Sequence, residues 1–177
     1  MAFVKIKQDD RREVLSLGTK GNATLEDPDS PTRSDADRIA AGKKIYMSAI
    51  PGKGGFCFTC HQPDGTGKAE GFIPPLAGSD WVTGEKEILI KILSYGLKGP
   101  IKVSGKDFGQ APMLAPGIPP GSLTNQQIAD VLTYIRNSWD NSASVVLVAD
   151  VASVRAAITG RGAFQQWTAA ELKVGSE

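Results

Sequence analysis

Residues 57–61, Cys-Phe-Thr-Cys-His, constrain the fold and the chemistry of this chain more than any other stretch. They contain both cysteines and the single histidine of the 177-residue sequence. The C-x-x-C-H spacing is the attachment signal for a c-type haem, in which each thiol adds to one haem vinyl group and the adjacent imidazole is the proximal iron ligand. The pattern therefore predicts one haem c, attached covalently through Cys57 and Cys60 and ligated by His61.

Other uses of two cysteines and a histidine fit the sequence less well. A structural zinc site needs about four protein ligands and a catalytic one about three, and the sequence has no second Cys/His pair. A thioredoxin-like C-x-x-C opens a helix after a strand, whereas this motif follows the glycine-rich residues 51–55, which lack a strand pattern. A structural disulfide is the remaining alternative. The specificity of the five-residue pattern favours haem over all of these.

The composition is that of an ordinary globular chain. Apolar residues make up 41% and charged residues 22% of the sequence, values that exclude a disordered or collagen-like class. The formal net charge of +1 argues against nucleic acid as a partner, because phosphate binding needs a concentrated basic face. No run of about 18 apolar residues occurs, so the sequence predicts no transmembrane segment.

The chain divides into four parts by pattern. Residues 1–25 look β-like, and we interpret them as an extension or as the remnant of an upstream domain. Residues 26–35 are acidic, contain two prolines and predict a linker. Residues 36–141 form the predicted haem domain. Residues 142–177 predict a helical carboxyl-terminal extension that packs on this domain as a clasp.

Helix signals are clearest at capping boxes. The first helix is predicted to start near Ser34, with Asp37 as its capping partner, and to carry Gly42 and Tyr46 on one face. Because glycine lets two backbones approach closely, that face predicts a tight helix crossing. Its expected partner is a helix that opens with the capping box at residues 124–127 and runs to about residue 139.

Three further helices and one loop complete the predicted elements. Residues 84–95 carry a broad apolar stripe, residues 150–158 predict a short helix, and residues 168–174 predict another with its own capping box. Residues 101–110 are broken by glycine and rich in lysine, and we predict a solvated loop there. The alternative for this loop is a docking rim beside an exposed haem edge.

The iron of such a haem needs a sixth ligand or keeps an open site. With no second histidine, the candidates are methionine, lysine, tyrosine or water. Met113 lies in a proline-stiffened loop with little helical or strand pattern, and we predict it as the ligand because Met/His ligation is the electron-transfer arrangement. A rigid carbonyl in the proline-rich residues 72–81 is expected to accept a hydrogen bond from His61 and orient its ring.

Residues 36–140 resemble class I cytochrome c. The matching pieces are Gly42 and Tyr46, the Cys57–His61 motif, Pro74-x-Leu76-x-Gly78, Met113, and the helix at residues 127–139. The resemblance implies an all-α fold of three to five helices around one haem. It also implies that the Pro74 carbonyl accepts from His61, and it adds Leu76 and Trp81 to the cofactor-binding residues.

A closer likeness is to haem modules of bacterial periplasmic enzymes. Residues 74–81, 131–139 and 168–172 are similar to modules fused to, or partnered with, copper nitrite reductases and quinone-dependent or sugar dehydrogenases. The likeness implies a periplasmic location and a redox protein partner or fused redox domain. Lysines stand where a signal peptide needs its apolar core. We therefore expect either that an export signal has been removed or that the chain is a piece of a longer protein.

These features together favour a monohaem electron carrier or electron-transfer module without catalytic activity of its own. The alternative is an open-site haem protein, peroxidase-like or binding nitric oxide or carbon monoxide, if Met113 does not ligate the iron. Against that alternative, the sequence has no distal histidine to serve as general acid and base.

Overall fold

A computed structural model describes residues 33–48, 56–68, 71–115 and 123–173 of the chain. The β-like segment predicted at residues 1–25 and most of the predicted linker lie outside these ranges. Within the described residues the elements, in chain order, are α1 (Asp35–Tyr46), α2 (Cys57–His61), α3 (Asp80–Thr83), α4 (Lys86–Tyr95), β1 (Ile101–Val103), β2 (Lys106–Phe108), α5 (Asn125–Arg136), α6 (Val148–Ala157) and α7 (Ala169–Leu172). None of these helices is long and apolar enough to cross a membrane.

The predicted crossing of α1 and α5 is confirmed. Both helices begin with the predicted capping boxes, in which Ser34 pairs with Asp37, and Thr124 with Gln127. A Cβ placed on Gly42 would collide with the Asp130 backbone carbonyl of α5. Only glycine therefore allows the two helix backbones to approach this closely.

Aromatic rings extend the crossing toward the haem motif. The rings of Tyr46, Tyr134 and Trp139 lie with their centroids 5.3–5.4 Å apart, in tilted or edge-on arrangements that suit their quadrupoles. The Tyr46 hydroxyl donates to the backbone carbonyl of Gln62, 2.6 Å away. This bond joins the helix crossing to the residue that follows His61.

Residues 101–110 differ from the prediction of a solvated loop. Strands β1 and β2 pair antiparallel, with Ile101 opposite Phe108 and Val103 opposite Lys106. Ile101, Val103 and Phe108 are buried, and the turn at Ser104 has the positive φ of a two-residue hairpin. The loop prediction was wrong because each strand has only three residues, too few to show a clear alternation, and because Lys102 and Lys106 are exposed at this hairpin. The fold is mostly helical, as expected, with this small hairpin added.

The remaining helices lie close to their predicted positions. The apolar stripe at residues 84–95 forms α4, which begins at Lys86 after the short helix α3 that the sequence did not predict. Helix α6 packs on α4 and α5, and Lys86 of α4 forms a 2.6 Å ion pair with Asp150 of α6. Helix α7 opens with the predicted capping box of Thr168 and Glu171.

Candidate functional site

A cavity of about 540 Å³ lies between the helices and the hairpin. Its walls come from α2, α3, α4, α5, the hairpin and the two proline-containing loops, and they are largely apolar. All seven predicted site residues line this cavity, namely Cys57, Cys60, His61, Pro74, Leu76, Trp81 and Met113. Its size is typical of a cofactor pocket.

The two cysteines lie on one turn of helix α2. A spacing of three residues places both on neighbouring parts of one helix face, and both thiols are free rather than joined in a disulfide. Burial raises the pKa of the Cys57 thiol to about 12, whereas Cys60 is exposed. Among the described residues, no group of three or more His, Cys, Asp or Glu side chains could hold a metal ion by itself.

His61 is buried and oriented by a backbone carbonyl. Its Nδ1 atom lies 3.0 Å from the Pro74 carbonyl oxygen. Because that oxygen only accepts, Nδ1 carries the proton and Nε2 keeps its lone pair for a metal. Desolvation lowers the pKa of His61, which favours the neutral imidazole that binds metals.

A short loop after the motif holds the Pro74 carbonyl in place. Gly67 donates its backbone N–H to the His61 carbonyl at 3.0 Å. Its φ is +76°, and a Cβ there would collide with the Ile73 carbonyl and come within 2.9 Å of the Pro74 carbonyl oxygen. Gly67 therefore allows the proline segment to pass close to the motif. No local pattern in the sequence predicts this close approach.

Leu76 and Trp81 contribute apolar surface to the cavity, and both form hydrogen bonds with residues that do not line it. The Trp81 indole N–H donates to the Lys102 carbonyl at 2.8 Å, which ties α3 to the hairpin. The Asn141 side chain donates to the Leu76 carbonyl at 2.9 Å and accepts from the Gly78 N–H at 3.0 Å. The sequence did not predict this role of Asn141, since a lone asparagine after a helix carries no signal for a contact this distant in the chain.

Met113 reaches the cavity from the loop after the hairpin. Its backbone pairs with Leu97 through two hydrogen bonds of 2.9 and 3.0 Å, and its side chain packs against both buried clusters of the core. Met47, the other described methionine, follows α1, is 39% exposed and does not line the cavity. No lysine or tyrosine is among the described residues that line the cavity.

These residues fit a c-type haem. Two thiols at the attachment spacing, a buried imidazole with Nε2 available and a thioether all line one largely apolar cavity. Cys57 and Cys60 would hold the group covalently, and His61 would ligate its iron. The fold and the site thus define a c-type haem protein.

Comparison with known proteins agrees with this class. The family model described as cytochrome c matches residues 39–139, more than half of the chain. The chain belongs to the cytochrome c family. It carries one haem c attached through Cys57 and Cys60, and its role is c-type electron transfer.

Three relatives show the range of the likeness. The cytochrome c subunit of a quinone alcohol dehydrogenase from Gluconacetobacter polyoxogenes is 36% identical over 77% of this chain and 27% of its own length. Cytochrome c-552 of Thermus thermophilus is 35% identical over 60% of this chain and 73% of its own. The cytochrome c subunit of gluconate 2-dehydrogenase from Pantoea cypripedii is 29% identical over 81% of this chain and 31% of its own length. The chain thus spans about a quarter to a third of the two dehydrogenase subunits.

Proposed function

We propose that this chain is a monohaem electron-transfer module with His61 and Met113 as axial ligands, which exchanges single electrons with a dehydrogenase in the periplasm. The observation that carries the proposal is the shared cavity. The His61 imidazole and the Met113 thioether both line it, and no other described lining residue is a histidine, lysine or tyrosine.

The bound haem supplies one-electron chemistry by cycling between Fe(II) and Fe(III). The protein's part is to hold two axial ligands in place in both oxidation states, so that little has to move when the charge changes. The Pro74 carbonyl restrains the His61 ring at 3.0 Å, and two backbone hydrogen bonds to Leu97 restrain Met113. A haem held by both His61 and Met113 would leave external ligands such as peroxide or carbon monoxide no ready place to bind.

The walls of the cavity support the same role. Buried leucine, isoleucine and valine side chains from α4, α5 and the hairpin make the lining of the cavity largely apolar. A low dielectric environment favours the less charged ferrous iron, and a thioether favours it further because sulfur is a soft ligand. This arrangement suits a carrier of relatively high reduction potential.

The proposed partner is a dehydrogenase that donates electrons. Two of the relatives described above are named as cytochrome c subunits of dehydrogenases. Phe56, Phe72 and Leu114 line the cavity and are 41%, 48% and 79% exposed, so an apolar rim is available for transient docking near the site. A nitrite reductase partner, which the sequence resemblance also implies, stays a prediction.

Optical spectra of the haem-loaded protein test the ligand assignment. We expect the wild type to show the far-red methionine-to-ferric-iron band and Met113→Ala to lose it. The reduction potential of that variant should fall by on the order of 100 mV, because axial ligand identity spreads haem potentials over about 0.8 V. Met47→Ala, which changes a methionine outside the cavity, is the matched control and should keep the band.

A wild type that lacks the band and readily binds carbon monoxide or peroxide would contradict the ligand assignment and favour the open-site alternative. The partner is tested separately, by stopped-flow reduction of the ferric protein with a reduced quinone-dependent alcohol dehydrogenase. A rate no faster than that with an unrelated reduced flavoprotein would contradict the dehydrogenase assignment.

A further inference from the structure

The backbone of Met113 lies at the edge of a small three-stranded arrangement. Leu97 is its middle member and forms an antiparallel bridge with Met113 on one side and a parallel bridge with Trp167 on the other. The Trp167 N–H donates to the Gly96 carbonyl at 3.0 Å, and the Lys98 N–H donates to the Trp167 carbonyl at 2.8 Å. The carboxyl-terminal segment around Trp167 is therefore connected through Leu97 to the loop that carries Met113, which we call the methionine loop.

Gln166 adds a direct connection. Its side-chain Nε2 donates to the Met113 carbonyl oxygen at 2.9 Å, an oxygen that also accepts from the Leu97 N–H at 3.0 Å. The close fit depends on Gly96, since a Cβ there would collide with the same carbonyl and approach the Gln166 Cγ to 3.2 Å. Gln166 thus contacts the backbone of Met113 directly, in addition to the connection through Leu97.

Gln166 is in turn held by what we call the carboxyl-terminal brace, formed by Arg161, Trp167 and Glu171. The Arg161 guanidinium stacks on the Trp167 ring, 3.5 Å from its centroid. It also donates to the Gln166 carbonyl and to the Glu171 carboxylate, both at 2.9 Å. Glu171 caps helix α7. A planar guanidinium used in this way restricts the backbone around Gln166.

We propose that Gln166 is a positioning residue for the Met113 thioether, a proposal that rests on the proposed axial ligation by Met113. The described part of the methionine loop, residues 111–115, contains no helix, and its regular secondary structure is limited to the β-bridge between Met113 and Leu97. The position of the thioether therefore depends on the hydrogen bonds that Leu97 and Gln166 make to the Met113 backbone, together with the packing of the side chain on the core. Removing the Gln166 donor loosens this backbone, weakens the thioether as a ligand and makes the iron easier for an external ligand to reach.

The contact is specific enough to separate positioning from general stability. The backbone of Trp167 already docks the carboxyl-terminal segment through its two hydrogen bonds to residues 96 and 98. The Gln166 side chain adds one donor, and that donor is directed at the residue that carries the proposed ligand. Loss of the donor should therefore change the behaviour of the ligand more than the melting of the protein.

The test uses the haem-loaded full chain and titrates ferric protein with imidazole. Gln166→Ala should weaken the far-red band and tighten imidazole binding by about two- to tenfold, the factor that corresponds to one hydrogen bond. Gln166→Glu, which keeps the volume but replaces the donor with a carboxylate, should have an effect at least as large. The adjacent Gln165→Ala, at an exposed position, is the matched control and should behave as wild type.

A lowered melting temperature with an unchanged band and unchanged imidazole affinity would make Gln166 merely structural and overturn the proposal. Loss of cooperative folding in both Gln166 variants would overturn it as well, because a bond that positions one ligand does not hold a fold together. Failure of the ligand assignment is distinguishable, since it appears as a missing band in the wild type, before any change at residue 166.

Discussion

The histidine side and the methionine side of the site are built in different ways. His61 is oriented by a carbonyl only 13 residues away, and the loop between them is closed by a hydrogen bond from Gly67 to the His61 carbonyl. Met113 is held by Leu97 and by Gln166, the latter 53 residues away. One side is a local loop beside the covalent attachment, and the other joins three distant segments of the chain.

This difference has a physical consequence. On the histidine side, the thioether bonds to Cys57 and Cys60 keep the imidazole near the iron even if a hydrogen bond is lost. On the methionine side, only non-covalent contacts place the thioether, so the ligand depends on how well the distant segments pack. The methionine side should therefore respond more strongly to equivalent substitutions.

Removing the covalent attachment should have the largest effect on folding, because the thioether bonds to Cys57 and Cys60 are what hold the haem on the histidine side. In a chain with Cys57→Ala and Cys60→Ala, the apolar side chains that line the cavity would contact water and the helices would lose their common core. We expect low helicity by circular dichroism and no cooperative melting. Thr59→Ala, between the two cysteines, is the control and should keep the haem. A cooperative, well-folded double variant would show that the helices form a core unaided.

Gly96→Ala should have the next largest effect, confined to the methionine side. Gly96 has φ +83°, and an added Cβ would collide with the Met113 carbonyl. We expect a loss of about 1–3 kcal/mol in the free energy of unfolding, a weaker far-red band and a lower reduction potential. The control is Gly105→Ala, which has a similar φ of +79° but open space around its Cβ. If both variants lose the band equally, backbone strain rather than the collision is responsible.

Gly67→Ala is the matched change on the histidine side. It should have the smallest effect on the reduction potential, and the shift should have the opposite sign to that of Gly96→Ala. A Cβ there would push on the Ile73 and Pro74 carbonyls and weaken the bond to His61. A less basic imidazole stabilises ferric iron less, so the potential should rise by about 20–60 mV, the equivalent of one hydrogen bond. The far-red band should persist. Voltammetry that finds potential shifts of the same sign in both glycine variants would contradict the comparison.

Helices with local signals were predictable. The capping boxes at Ser34, Thr124 and Thr168 depend on residues three positions apart, and apolar periodicity marks α4 and α5 within single segments. The hairpin at residues 101–108 was missed because each strand has three residues. That length is too short for an alternation, and the burial of those strands comes from other elements packed against them.

The sequence alone determined the haem motif, because attachment chemistry needs two thiols and an imidazole at one short spacing, which a linear chain displays directly. It also determined the capped helices and the glycine at their crossing. The tertiary structure alone decided which distant residues support the ligands, such as Asn141 behind Leu76 and Gln166 behind Met113. Such contacts join segments whose separation is set by the packing of the whole chain, so no local pattern of residues specifies them.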